Sequence, residues 1–247
     1  MDAKPKRILS SGKRATVLIS GPKRATVPAS GPKRATNRAA AQLESIPSLR
    51  KRELDNHCSA SSAVRASGKR YVSTTSIVNE AEPQCQYFPL ELSPHSHLFR
   101  AGLRVQAQDY ERVVFKASTL RVETAVGPCN GWHAIGFVAD SRKEPAVNGQ
   151  QVGNSLPSTI ADLGPLSYFK RAQLTEAITV EVNDVWLHRN NNYAPYLIQG
   201  DGEEHPVELT RAGWWVYIYQ GYSPLLGGTT NLLAPIRISH EYSVVLL

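Results

Sequence analysis

The stretch STLRVETAV, residues 118–126, alternates strictly: Leu120, Val122, Thr124 and Val126 fall on one face, Arg121 and Glu123 on the other. A period of two marks a strand with one buried side, because successive side chains leave a pleated backbone in opposite directions. The pattern returns in AITVEVNDVWL (177–187), where Ile178, Val180 and Val182 alternate with Thr179, Glu181 and Asn183. It returns again in APIRISHEYSVVLL (234–247), through Ile236, Ile238, Tyr242, Val244 and Leu246. Around these lie YVSTTSIVN (71–79), rich in β-branched residues, and CQYFPLEL (85–92), which follows a proline. WHAIGFVAD (132–140) and GWWVYIYQGY (213–222) are apolar on both faces. One helix is expected in HLFRAGLRVQAQDYERVV (97–114), with Leu98, Gly102 and Val105 sharing a face. At least seven strands with so little helix between them exclude a parallel α/β sheet and point to a Greek-key sandwich or jelly roll.

Upstream the composition changes completely. Residues 1–70 carry 16 Lys+Arg against 4 Asp+Glu, a net of +12, whereas residues 71–247 carry 12 against 17, a net of −5. All 19 Phe, Trp and Tyr lie at or after Tyr71. A segment without aromatics cannot bury enough apolar surface to offset its ordering entropy, so residues 1–52 read as a disordered basic arm and 53–70, rich in Ser and Ala, as a linker. The 177 residues of 71–247 suffice for one well-cored domain.

Within the arm one phrase recurs at a spacing of ten, SGKRAT, GPKRAT, GPKRAT, so that Lys13-Arg14, Lys23-Arg24 and Lys33-Arg34 follow Gly or Gly-Pro. Proline blocks helix and glycine keeps the thread pliable. Charge spaced along a flexible chain suits the phosphates of RNA or DNA, and with no aromatic to stack on bases the contact is expected to ignore sequence. The residues assigned to it are Lys4, Lys6, Arg7, Lys13, Arg14, Lys23, Arg24, Lys33, Arg34, Arg38, Arg50, Lys51 and Arg52. Lys4-Pro5-Lys6-Arg7 also fits a nuclear import signal, and a solubilising tail is the plainer alternative.

Three cysteines, Cys58, Cys85 and Cys129, form no CxxC pair and favour free thiols in a reducing compartment. No apolar run approaches the length of a membrane span, so no membrane partner is expected. GxSxG, P-loop, GxGxxG and HExxH patterns are absent from the sequence, and no enzyme is indicated. His95-Ser96-His97 with Cys85 would make at most three zinc ligands where four are wanted. The aromatic strand offers a different possibility. If one face of 213–222 packs inside, the other, with Trp215, Tyr217 and Tyr219, is a candidate self-association surface unless the same chain covers it.

QDYERVVFKASTLRVETAV (108–126), GWHAIGFVADSRKEPA (131–146), VELTRAGWWVYIYQG (207–221) and IRISHEYSVVLL (236–247) together resemble, in order, the shell domain of coat proteins from small icosahedral plus-strand RNA viruses of the tombusvirus and sobemovirus lineage. The resemblance implies an eight-stranded antiparallel jelly-roll sandwich behind a disordered basic arm. It implies a structural protein of the virion that assembles with copies of itself, encloses single-stranded RNA and is found in the host cytoplasm or nucleus. It also implies that the protruding domain of some relatives is missing after Leu247. Calcium often sits between subunits of that family on an Asp-x-x-Asp; here Asp140 is followed by Lys143 at the second position, which works against an ion needing several oxygens, and no cofactor is expected. The acidic turn at Asp201, Glu203 and Glu204 reads as solvated. A β-sandwich accessory protein that binds viral RNA, such as a movement protein or silencing suppressor, is the alternative.

Overall fold

A computed structural model describes residues 50–77, 83–123, 130–146, 154–200, 202, 204–222 and 234–247. All of them belong to one compact unit, Leu43–Leu247. Its elements are a helix over 50–57 (α1), β1 Val64–Ile77, β2 Gln84–Glu91, α2 Ala101–Gln106, β3 Arg112–Val122, β4 Asn130–Val138, α3 Ile160–Leu163, β5 Phe169–Gln173, β6 Ile178–Asn183, α4 Asp184–Arg189, β7 Tyr196–Leu197, α5 Val207–Thr210, β8 Arg211–Tyr222 and β9 Ala234–Leu246.

The strands form two antiparallel sheets. One runs β1-β9-β3-β6, with the two-residue β7 attached to β3; the other runs β2-β8-β4-β5. Apart from β7 this is eight strands in two layers of four. The chain crosses repeatedly between layers, and β9 returns to lie between β1 and β3, which is the jelly-roll arrangement expected from the sequence.

The core lies between the layers. From the first sheet Val113, Phe115, Leu120, Val122, Val180, Val182, Ile236, Ile238, Tyr242, Val244 and Leu246 point inward; Phe88, Leu90, Ile135, Phe137, Trp215, Tyr217 and Tyr219 meet them from the second. Each large apolar side chain buried here contributes roughly 1.5–3 kcal/mol relative to exposure. The second sheet also has a covered outer face. Leu156 and Leu163 pack on Ala134, Val138, Trp214, Val216 and Ile218. Gly136 makes that cover possible, since a Cβ there would lie 2.7 Å from Leu163 and 2.9 Å from Leu166.

Several boundaries differ from the sequence reading. The stretch 53–70 is helix, turn and strand, because Leu54 on α1 and Cys58 just after it bury against Val114 and Val245, and β1 pairs with β9 from Val64 onward. The ordered body therefore starts well before Tyr71. The expected helix over 97–114 shortens to α2 and a single 3₁₀ turn, Ala107–Asp109. Leu98, Leu103 and Ala107 take its buried positions and Val105 is exposed, while 112–114 already belong to β3. The 177–187 strand ends at Asn183, whose side chain accepts from Trp186 N–H at 3.3 Å and caps α4. Thr124, Val126 and Cys129 lie outside the described residues.

Candidate functional site

Of the basic residues assigned to nucleic acid, Lys4, Lys6, Arg7, Lys13, Arg14, Lys23, Arg24, Lys33, Arg34 and Arg38 lie outside the described residues. Arg50, Lys51 and Arg52 form the first exposed turn of α1. That helix is held on the outer face of the five-stranded sheet by Leu54 (1% exposed) and Cys58. Polar contacts add to the apolar ones: Lys116 Nζ bridges Asp55 Oδ1 at 3.2 Å and Asp184 Oδ2 at 2.9 Å, and Arg50 Nη1 donates to Asn192 Oδ1 at 3.0 Å. Three cations are thus presented at a definite place on the body, at the end of the basic segment.

The aromatic strand corrects the self-association assignment. Trp215, Tyr217 and Tyr219 are 0%, 0% and 6% exposed and face the other sheet, so they are core. The opposite face of β8, with Trp214, Val216 and Ile218, points outward and is covered by the segment around α3. Both faces of the strand are apolar because each packs against a different layer of the same chain.

An aromatic that the sequence reading did not single out is exposed, as Tyr71 is on the other sheet. Trp132, on β4, has 43% of its surface open and carries the Arg171 guanidinium 4.1 Å from its ring centroid. It hid within 132–140 because Ala134, Gly136 and Val138, the later residues on its face of the strand, are buried.

Inside the sandwich Ser118 and His240 make a serine–histidine contact, Oγ to Nε2 at 2.8 Å. It has no catalytic geometry. Both side chains are buried, Ser118 Oγ also accepts from Trp215 Nε1 at 2.9 Å, and His240 Nδ1 donates to the Leu98 carbonyl at 2.9 Å. No substrate reaches that oxygen. His188 is equally enclosed, donating from Nδ1 to Ala194 O and accepting at Nε2 from Phe115 N–H. Burial pushes His188 and His240 down to about 4, so both are neutral near pH 7.

At the position the resemblance marks for calcium, Asp140 Oδ1 accepts from the Arg142 backbone N–H at 3.1 Å and lies 3.5 Å from Arg142 Nε. Among the described residues no group of three or more His, Cys, Asp or Glu is arranged to hold a metal ion. His95 and His97 are exposed loop residues, and Asp201 and Glu203 lie outside the described residues. Nor is any described helix long and apolar enough to cross a membrane.

No family model matches the chain, and no curated protein matches it in sequence. Solved structures do. The crystal structure of Cucumber Necrosis Virus matches with a TM-score of 0.55 at 19% identity, over 76% of this chain and 57% of that one. The giant freshwater prawn Macrobrachium rosenbergii nodavirus, as a semi-empty virus-like particle, matches with a TM-score of 0.58 at 11% identity, over 76% of this chain and 84% of that one. Cocksfoot mottle virus matches at 0.53 and 10% identity, over 76% and 85%. The chain has the fold of a tombusvirus- and sobemovirus-like shell domain. It spans little more than half of the Cucumber Necrosis Virus chain. At such identities the likeness is one of fold.

Proposed function

We propose that the protein is a viral coat subunit whose jelly-roll body assembles with copies of itself into a closed icosahedral shell, and whose basic N-terminal segment packages single-stranded RNA inside it. The observation that carries this reading is the union of two features in one chain: the virus shell-domain fold of the described body, and a preceding segment, residues 1–49, with 10 Lys+Arg against 2 Asp+Glu, a net of +8. A nearly neutral body, 18 Lys+Arg against 19 Asp+Glu over residues 50–247, and a basic lead divide the work between container and tether. Many tethers held on one inner surface bind multivalently, so modest affinity per copy is enough. The place of action is then the virion.

The test is negative-stain microscopy of the purified full chain with RNA, together with RNA affinity as a function of salt. Closed, uniform particles containing RNA are expected; monomers or dimers at every salt and pH would overturn the coat reading and favour an accessory RNA-binding protein. Replacing Lys13, Arg14, Lys23, Arg24, Lys33 and Arg34 by Gln should flatten the log–log salt slope by about 4, at about 0.7 per lost phosphate contact. An unchanged slope would refute the role of the repeats.

A further inference from the structure

The three repeats of the basic segment agree at four positions and differ around them. Over residues 11–20, 21–30 and 31–40, Lys-Arg-Ala-Thr is identical each time, ending at Thr16, Thr26 and Thr36. The four residues that follow are Val-Leu-Ile-Ser, Val-Pro-Ala-Ser and Asn-Arg-Ala-Ala. Neutralising phosphates asks for the lysine and the arginine. It gives no reason to hold the threonine fixed, since any small residue would serve as a spacer. The hydroxyl is left to explain.

The folded body narrows what it does. Arg-x-Ser or Arg-x-Thr occurs five times in the chain, ending at Thr16, Thr26, Thr36, Ser67 and Ser239, and Lys precedes the Arg only at the three threonines. An enzyme that modifies a hydroxyl by its flanking residues must grip those residues as free extended chain. Ser67 lies within β1, whose backbone pairs with β9 from Val64 to Tyr71. Ser239 is in β9, between β1 and β3, and is 0% exposed. The sandwich thus locks both sites outside the repeats into a ladder that would first have to break.

We infer that Thr16, Thr26 and Thr36 are phosphorylation sites for a basic-directed serine/threonine kinase, and that their phosphates loosen the hold of the basic segment on RNA. The inference rests on the RNA-packaging reading and adds a regulation to the same site. Lys and Arg, three and two residues before each hydroxyl, suit acidic subsites on such a kinase, the guanidinium as the bidentate partner of a carboxylate. In the transfer, threonine Oγ1 attacks the γ-phosphorus of ATP. The new P–O bond replaces the bond to the β–γ bridging oxygen, ADP leaves with that electron pair, and the hydroxyl proton passes to the kinase's base. Each phosphate adds about −1.5 to −2 at pH 7, so three lower the net of +8 over residues 1–49 to about +2 to +3.5. Each also stands two residues from an arginine with which it can pair, and that pairing competes with RNA.

The experiment treats the purified full chain with phosphatase, then with magnesium, ATP and the catalytic subunit of cyclic-AMP-dependent protein kinase, an enzyme of this basic-directed class. Peptide mass spectrometry should find phosphate on Thr16, Thr26 and Thr36 and none on Ser67 or Ser239. The log–log salt slope of RNA affinity should flatten by about 3 to 4, at about 0.7 per lost contact, and a second phosphatase treatment should restore it. A variant carrying Thr16→Val, Thr26→Val and Thr36→Val, which removes the hydroxyls and keeps the shape, should bind RNA as the unmodified wild type does and keep its slope after the kinase. If the threonines take no phosphate, or the phosphorylated chain keeps its full slope, the assignment is wrong while the RNA-packaging reading stands. If the unmodified valine variant loses affinity, the hydroxyls contact RNA themselves and the assignment is likewise overturned. If the unmodified wild type shows no salt-dependent RNA binding, both fall.

Discussion

Trp215 Nε1 donates to Ser118 Oγ at 2.9 Å, and this single hydrogen bond joins the two sheets through the middle of the core. Trp215 belongs to β8 in one layer and Ser118 to β3 in the other. The hydroxyl in turn donates to His240 Nε2 at 2.8 Å, and His240 Nδ1–H donates to Leu98 O at 2.9 Å, so every polar atom in the chain of contacts is satisfied. A buried polar network is worth keeping only when complete. Replacing Ser118 by Ala strands the indole N–H and one imidazole nitrogen without partners, and should cost about 2–4 kcal/mol of unfolding free energy. Urea denaturation of the variant measures it, and a midpoint equal to wild type would show that the network adds no stability.

Acid should weaken the fold through the enclosed histidines. His188 and His240 are held at about 4 by burial, below the 6.5 of an exposed histidine, and His133 is lowered for the same first reason. Between these values the unfolded chain binds protons that the folded one refuses, so stability is complete above about pH 6.5 and falls as pH drops toward 4. His188 and His240 each account for about 3 kcal/mol across that window at 1.36 kcal/mol per pH unit. Urea midpoints should therefore decline steadily from pH 7 to pH 4.5. A flat profile would mean that water or a partner already reaches these rings.

The docking of α1 rests on few contacts. Leu54 is its deepest side chain, against Val114 and Val245. Leu54→Ala should cost about 2–3 kcal/mol of local stability, with hydrogen exchange accelerating over residues 51–58 and unchanged in β8. Equal acceleration throughout would show that the helix and the sandwich open together.

Gly131 has φ +134°, and a Cβ there would stand 2.2 Å from the Gln220 carbonyl oxygen. No side chain can shift to relieve a clash with backbone. Gly131→Ala should destabilise by more than about 2 kcal/mol, through backbone strain and loss of pairing at the β4–β8 end. A thermal midpoint within a degree of wild type would contradict the geometry.

How far the sequence could be read depended on how each strand is covered. β6, with one buried face, announces itself by alternation; so do β3 over 118–122 and β9, although the second face of β9 is also buried at Ser239 and Val245. β5, FKRAQ, was not recognised because it buries only Ala172 fully and lies at a sheet edge, needing β4 alone as a partner. β7 is two residues long and has no pattern to show. VRASGKR at the start of β1 looks like linker because its inward residues are small, yet it pairs with β9 residue for residue from Val64 to Tyr71. For the functional surfaces, Arg50, Lys51 and Arg52 were legible as a cationic knot, but not their seat on a docked helix, which depends on Val114 and Val245 from distant strands.

The amino-acid order by itself determined that a charged, aromatic-free lead precedes an all-β body, because charge and apolar content set what can collapse. It determined most strand positions, because a pleat repeats every two residues. It did not determine which side of β8 is inside. Trp214-Trp215-Val216-Tyr217-Ile218-Tyr219 is apolar on both faces, so periodicity carries no direction there. Only the tertiary structure decided it: pairing with β2 and β4 turns Trp215, Tyr217 and Tyr219 toward the opposite sheet, and the chain around α3 closes over Trp214, Val216 and Ile218.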